Sequence, residues 1–90
     1  MHYDNRDVAE QVAAEVRESN PQAIEVKVLA DGSVAMLHDL LFTRAIHLGC
    51  NSWGWTARFC FEDRARANTE FAKLVSEFDE PTGCVARRGR

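Results

Sequence analysis

The sequence has little of what marks a secreted, membrane-bound or nucleic-acid-binding protein. Its 90 residues contain no apolar run that approaches the roughly 18 residues of a membrane-spanning helix, and they open on a polar stretch rather than on a signal peptide. The three cysteines are an odd number without paired spacing, which is a poor fit to a disulfide-stabilised secreted domain. We therefore expect a cytoplasmic protein with reduced thiols and no membrane partner.

An excess of positive charge is also missing. The formal net charge is −3, and all 14 acidic residues precede residue 84, whereas three of the 11 basic residues are Arg87, Arg88 and Arg90. An acidic body repels the phosphate backbone at long range. We therefore expect nucleic acid to be an unfavourable partner unless this short basic segment makes the contact.

What is present is the composition of an ordinary globular domain. Hydrophobic residues make up 46% and charged residues 28% of the chain, which argues against disorder. A chain of this length buries only about 60–65% of the surface that its unfolded form exposes, so its core is thin. We predict one domain over residues 1–83, followed by a basic C-terminal tail over residues 84–90 that is either a flexible end or a short extra strand.

Two segments have the periodicity of amphipathic helices. Asp4 or Asn5 can cap a first helix, whose apolar residues recur at three- and four-residue steps. Asp63 can cap a second helix, whose apolar stripe runs as far as Phe78. Their acidic outer faces resemble a nucleic-acid mimic, but arginines interrupt both, so we expect solvated helix surfaces.

The first two predicted strands flank Asp31-Gly32. Apolar and polar residues alternate on both sides of this dipeptide, as they do in half-buried strands. The dipeptide favours a two-residue type I′ turn, which places Val28 opposite Ala35 and sets which side chains share a face.

Residues 41–63 predict two further strands around a polar turn at residues 50–54. Residues 39–49 also fit a short helix that ends at Gly49, but their β-favouring composition makes a strand the better interpretation. Alternation then turns the aromatic residues of the last strand into the core. The expected fold is α+β, in the order α-β-β-β-β-α, with a four-stranded antiparallel sheet and both helices packed on one face.

Four short elements stand out in the second half of the chain: a strand ending in Gly49, a glycine-aromatic restart at Gly54-Trp55, Arg58 before the aromatic-Cys-aromatic triplet Phe59-Cys60-Phe61, and a closing Glu80-Pro81-Thr82-Gly83. In these elements the chain resembles a loose group of short proteins encoded by tailed phages and prophages. The resemblance implies an origin rather than a mechanism. By analogy, small phage proteins of this kind, such as anti-CRISPR proteins, block a host machine.

With both helices on one face, the other face of the sheet is left open as a contact surface. We therefore expect a non-enzymatic protein that binds a host protein or ribonucleoprotein complex, or a second copy of itself, without a cofactor. The residues predicted on this surface are Lys27, Leu29, Val34, Met36, His38, His47 and Arg58.

The main alternative is a small nucleic-acid-associated regulator. In that interpretation Arg87, Arg88 and Arg90 contact phosphate, each adding a salt-dependent contribution. Exposed tryptophans can also stack on bases, but we expect the aromatic residues of the second half to be needed in the core.

A cysteine- or metal-dependent enzyme is the third alternative. Zinc needs thiolate or imidazole ligands that converge, and the spacing of Cys50, Cys60, His38 and His47 matches no such pattern. A cysteine nucleophile needs an adjacent base and an orienting group, which no local motif supplies. We expect neither catalytic residues nor a metal site.

Overall fold

The structure, a computed structural model, describes residues 5–89 and comprises two helices and five strands. In chain order the elements are α1 (Asn5–Ser19), β1 (Glu25–Val28), β2 (Val34–Asp39), β3 (Arg44–Leu48), β4 (Ala57–Phe61), α2 (Arg64–Ala72) and β5 (Ala86–Gly89). The predicted α+β class is confirmed. The predicted cap residue Asp4 and the basic residue Arg90 lie outside the described part of the chain. Neither helix is long and apolar enough to cross a membrane.

The strands form a single antiparallel meander in the order β1-β2-β3-β4-β5. Residues 44–48 are therefore a strand, and the alternative of a helix over residues 39–49 is wrong. Ile46 pairs with Phe59 at the centre of the β3–β4 hairpin, and both side chains are fully buried. The sheet has five strands rather than the predicted four, because residues 86–89 pair with β4. The predicted basic tail is thus an edge strand of the domain.

The first hairpin has a different turn from the predicted one. Val28 lies opposite Val34, and the Gly32 N–H donates to the Leu29 carbonyl oxygen at 2.9 Å, so the loop has three residues. Gly32 alone supplies a positive φ, of 85°, while Asp31 keeps an ordinary backbone conformation. The Asp31 carboxylate accepts a hydrogen bond from the Ser33 N–H and another from the N–H of the distant Glu77, each at 3.0 Å.

This one-residue shift in register moves every β1 side chain to the other face. Val26 and Val28 now share a face with Val34 and Met36, whereas Lys27 lies on the opposite face with Ala35 and Leu37.

The two helices pack on opposite faces of the sheet, so the prediction that both lie on one face is wrong. Both faces of β2 are apolar, so each face is buried by packing against a helix. We call the two faces the α1 face and the α2 face. On the α1 face, the helix packs on Val26, Val34 and Met36. On the α2 face, the larger core contains Leu37, Ile46, Leu48, Phe59, Phe61 and Phe71.

The second helix is shorter than its apolar pattern predicts. Asp63 caps it as expected, since its carboxylate accepts a hydrogen bond from the Arg66 N–H at 3.1 Å. The helix ends at Ala72, however, and the following loop leaves Phe78 exposed. Asp79 fixes that loop, because its carboxylate accepts a hydrogen bond from the Val75 N–H at 2.7 Å.

Candidate binding site on the α1 face

The residues predicted to form one open surface are divided between the two faces. Val34 and Met36 are buried beneath α1, and Leu29 belongs to the core on the α2 face. Lys27 also lies on the α2 face, where its ammonium group donates to the Phe71 carbonyl oxygen at 2.7 Å. These four residues are therefore not part of an open surface. The register shift at Asp31-Gly32 and the separation of the two helices explain the error.

The other three predicted residues, His38, His47 and Arg58, do share the α1 face. Within the described chain, α1 contacts β1 and β2 but not β3, β4 or β5, so no helix covers the second half of this face. His47 lies opposite Arg58, and Arg58 lies opposite Arg88 on the edge strand. Three basic side chains thus stand side by side across β3, β4 and β5.

Aromatic contacts join these residues into one cluster. The His47 ring centroid lies 6.2 Å from that of His38 and 5.4 Å from that of Trp55. The Arg58 guanidinium carbon lies 5.2 Å from the Trp55 ring centroid, within cation–π range. We call His38, His47, Trp55, Arg58 and Arg88 the histidine–arginine cluster.

Several polar atoms of this cluster are buried without a hydrogen-bond partner among the described residues. They are Nδ1 of His38, both ring nitrogens of His47 and Nε of Arg58. None of the strand residues on this face is acidic, so Arg58 and Arg88 have no carboxylate beside them in the sheet. A buried polar group without a partner costs about 1–3 kcal/mol, and like charges directly opposite each other in a sheet are destabilising.

His47 is uncharged at neutral pH. Burial, together with the charges of His38 and Arg58, lowers its pKa from 6.5 to about 4. A neutral imidazole carries one N–H donor and one acceptor nitrogen. Both are unsatisfied here, so the cluster combines an unpaired neutral ring with unpaired guanidinium groups.

The loop over residues 50–55 folds back beside α1 and borders the cluster. The Ser52 hydroxyl donates to the Glu15 carboxylate of α1 at 2.9 Å. Between this loop and the end of α1 lies an open pocket of about 300 Å³, with His47, Trp53 and Trp55 among its lining residues. Trp53 is 95% exposed, so a large apolar side chain stands next to the cluster.

The structure separates the basic residues proposed for phosphate contact. Arg87 lies on the α2 face, where its guanidinium group donates to the Glu80 carboxylate at 2.7 Å and lies 5.5 Å from the Phe59 ring centroid. Arg88 lies on the α1 face. The sequence predicts a basic segment at Arg88 that is either a flexible end or a short strand, and nothing in the sequence sets the register of so short a strand against β4.

The cysteines and histidines of residues 5–89 belong to no group that could hold a metal ion. No group of three or more His, Cys, Asp or Glu residues within residues 5–89 is arranged to hold a metal ion. Cys50 is buried under α1, where burial raises the pKa of its thiol to about 12. A thiol that stays protonated is a poor nucleophile and a poor metal ligand.

No protein-family model, curated protein or solved structure matches this chain. Its function is therefore argued from the geometry of the α1 face.

Proposed function

We propose that this protein is a non-enzymatic binding protein, encoded by a phage or another mobile element, that attaches to a host protein complex through the histidine–arginine cluster. The observation that carries the proposal is the facing pair Arg58 and Arg88, which has no ion pair among the described residues and lies on the part of the sheet that no helix covers. The origin rests on the resemblance of the second half of the chain to phage and prophage proteins. Inhibition of a CRISPR-type defence complex in the host cytoplasm is the form of this function that analogy favours.

A bound partner relieves the unfavourable features of this face. Carboxylate side chains beside Arg58 and Arg88 offset the repulsion between two adjacent guanidinium groups. Aromatic residues and arginine are the types that dominate binding energy at protein interfaces, and Trp53, Trp55 and Arg58 supply both.

A protein partner fits this face better than a nucleic acid. Proteins that bind duplex DNA with strongly salt-dependent affinity make about 6–10 phosphate contacts. The described α1 face offers only Arg58 and Arg88 as full cations, on a chain with a net charge of −3. Arg87, which the nucleic-acid alternative requires, is engaged by Glu80 on the other face.

The test is affinity capture with tagged protein in a bacterial host that carries an active CRISPR-type defence, followed by mass spectrometry. We expect the double variant Arg58→Glu/Arg88→Glu to lose the partner that the native protein recovers. Arg64→Glu, a single charge reversal at the exposed start of α2, is the control, and it is compared with Arg58→Glu and Arg88→Glu made singly. Met36 was also predicted on the contact surface, but it is buried beneath α1. Met36→Glu would therefore disturb the core and would not test the surface.

The recovered partner is then purified and its affinity for each variant is measured directly. Equal affinity for the native protein and the double variant, both shown to be folded by circular dichroism, contradicts the proposed surface. Recovery of nucleic acid in place of protein, with loss on deletion of residues 84–90, supports the regulator alternative instead.

A further inference from the structure

The outer edge of the sheet at β5 is a template for another strand. All four residues of β5 are exposed. One edge of β5 pairs with β4, and no strand within residues 5–89 pairs with the other edge. An edge strand presents backbone N–H and C=O groups on its free side, and an extended chain from a partner can add to them.

The opposite edge of the sheet is protected in a way that β5 is not. Helix α1 lies against β1, and the Arg17 guanidinium group donates to the Val26 carbonyl oxygen at 2.8 Å. Neither helix contacts β5. The two edges therefore differ in access.

β5 is also held firmly enough to act as a template. Its four residues pair in register with residues 57–60, and Val85 just before it donates to the Cys60 carbonyl oxygen at 2.8 Å. Gly89 has a φ of 95° and lies so close to β4 that a Cβ atom there would overlap the Thr56 carbonyl oxygen. This close approach fixes the end of the strand against its neighbour.

The charges on β5 select the added strand. In an antiparallel pair of β5 strands from two copies that face the same way, Arg88 of each copy would lie close to Arg88 of the other on one face of the joined sheet, which is unfavourable. A strand with acidic side chains is favoured instead. A residue opposite Arg88 lies about 5 Å away on the same face, and Arg58 lies one strand further, at about 10 Å. An arginine and a glutamate side chain together span that gap.

We infer that β5 receives a sixth strand from the partner protein, with glutamate or aspartate side chains directed to the α1 face beside Arg88 and Arg58. This inference rests on the proposed function and names the chemistry of the partner. Backbone hydrogen bonds along β5 supply affinity, and the unpaired guanidinium groups supply selectivity for acidic residues.

The experiment uses the full-length protein and a synthetic peptide of seven alternating valine and glutamate residues with blocked ends. A peptide with lysine in place of glutamate is its control. We expect the glutamate peptide to bind about tenfold more tightly than the lysine peptide. The affinity of the glutamate peptide should fall as salt is added. Hydrogen exchange measured with the glutamate peptide bound should slow at backbone amides of residues 86–89.

Charge reversal at one position makes the test specific. Arg88→Glu should reverse the preference between the two peptides, and Arg64→Glu should leave it unchanged. Equal binding of both peptides, or slowed exchange only outside residues 86–89, overturns the inference. This assay needs no host partner, so the two claims can fail separately. If Arg58→Glu/Arg88→Glu loses the captured partner but no peptide binds at β5, only the strand inference is wrong. If the peptide binds at β5 but the affinity for the captured partner does not depend on Arg58 and Arg88, the proposed function is wrong.

Discussion

The two faces of the sheet differ in how completely the fold satisfies their polar groups. On the α2 face each cationic strand residue has a partner: Lys27 bonds to the Phe71 carbonyl, Arg44 to Asp39 at 2.8 Å and Arg87 to Glu80. On the α1 face, Arg58 and Arg88 have no hydrogen bond or ion pair with the described residues, although Arg58 stacks on Trp55. The same chain therefore pairs the cations of one face and leaves two cations of the other face without a partner among the described residues, and the proposed binding surface is based on this difference.

The difference extends to the cores behind each face. Phe59 and Phe61 fill the α2 face and are 1% and 0% exposed. The core under α1 is built from smaller or more flexible side chains, such as Ala13, Val16 and Met36. The α2 side therefore contributes more of the stability than the α1 side does.

The largest expected effect is loss of the α2-face core. Phe59→Ala should lower the free energy of unfolding by about 3–5 kcal/mol, since it removes a fully buried ring, and Met36→Ala by about 2–4 kcal/mol. Urea denaturation followed by circular dichroism measures both. Phe42→Ala is the control, because Phe42 is 83% exposed and its loss should change stability by less than about 0.5 kcal/mol. A greater loss for Met36→Ala than for Phe59→Ala would reverse the assignment of the main core.

The next effect is a dependence of stability on pH that arises from the α1 face. The pKa of His47 is about 4 in the folded protein and near 6.5 when unfolded, so the unfolded chain binds more protons between these values. The contribution of neutral, buried His47 to the free energy of unfolding is fully present above pH 6.5. The free energy of unfolding should fall by about 3 kcal/mol as the pH approaches 4.

His47→Phe should remove most of that slope in denaturation curves recorded from pH 4 to pH 7.5. His38→Phe should retain most of it, because burial lowers the pKa of His47 more than the charge of His38 does. Identical slopes for the native protein and His47→Phe would show that His47 is accessible to protons in the folded state.

The smallest effect tests the comparison of arginines directly. Arg88→Thr should raise the melting temperature by about 1–3 °C, since it removes one of two like charges that face each other, and threonine suits a strand. Arg44→Thr makes the same substitution on the α2 face and should lower the melting temperature, because it removes an ion pair with Asp39. A decrease for both variants would mean that Arg88 already has a stabilising partner.

The elements of the fold follow from local patterns, whereas their arrangement does not. The three- and four-residue spacing of Ala9, Val12 and Val16 predicts α1, and alternation from Ala57 to Phe61 predicts β4. The loop of the first hairpin is bonded to residues far away in sequence, since the Asp31 carboxylate accepts a hydrogen bond from the Glu77 N–H. A local rule for Asp-Gly dipeptides cannot include that contact.

The histidine–arginine cluster could also be predicted from the sequence only in part. His38, His47 and Arg58 share a face because alternation within β2, β3 and β4 places them there. The position of Arg88 depends on the register of a four-residue strand. The position of Trp55 beside His47 depends on the course of an irregular loop. Neither feature has a periodic signal in the sequence.

Among the described elements, β1 and β2 are the strands that both helices contact: α1 packs on both, while α2 packs on β2 and accepts a hydrogen bond from Lys27 of β1. The contacts that link the two sides of the molecule are therefore concentrated in these two neighbouring strands. α1 can separate from the sheet without breaking the larger core, and amide exchange should report its opening before global unfolding. A force applied to one helix would thus reach the other through the two strands that both helices contact.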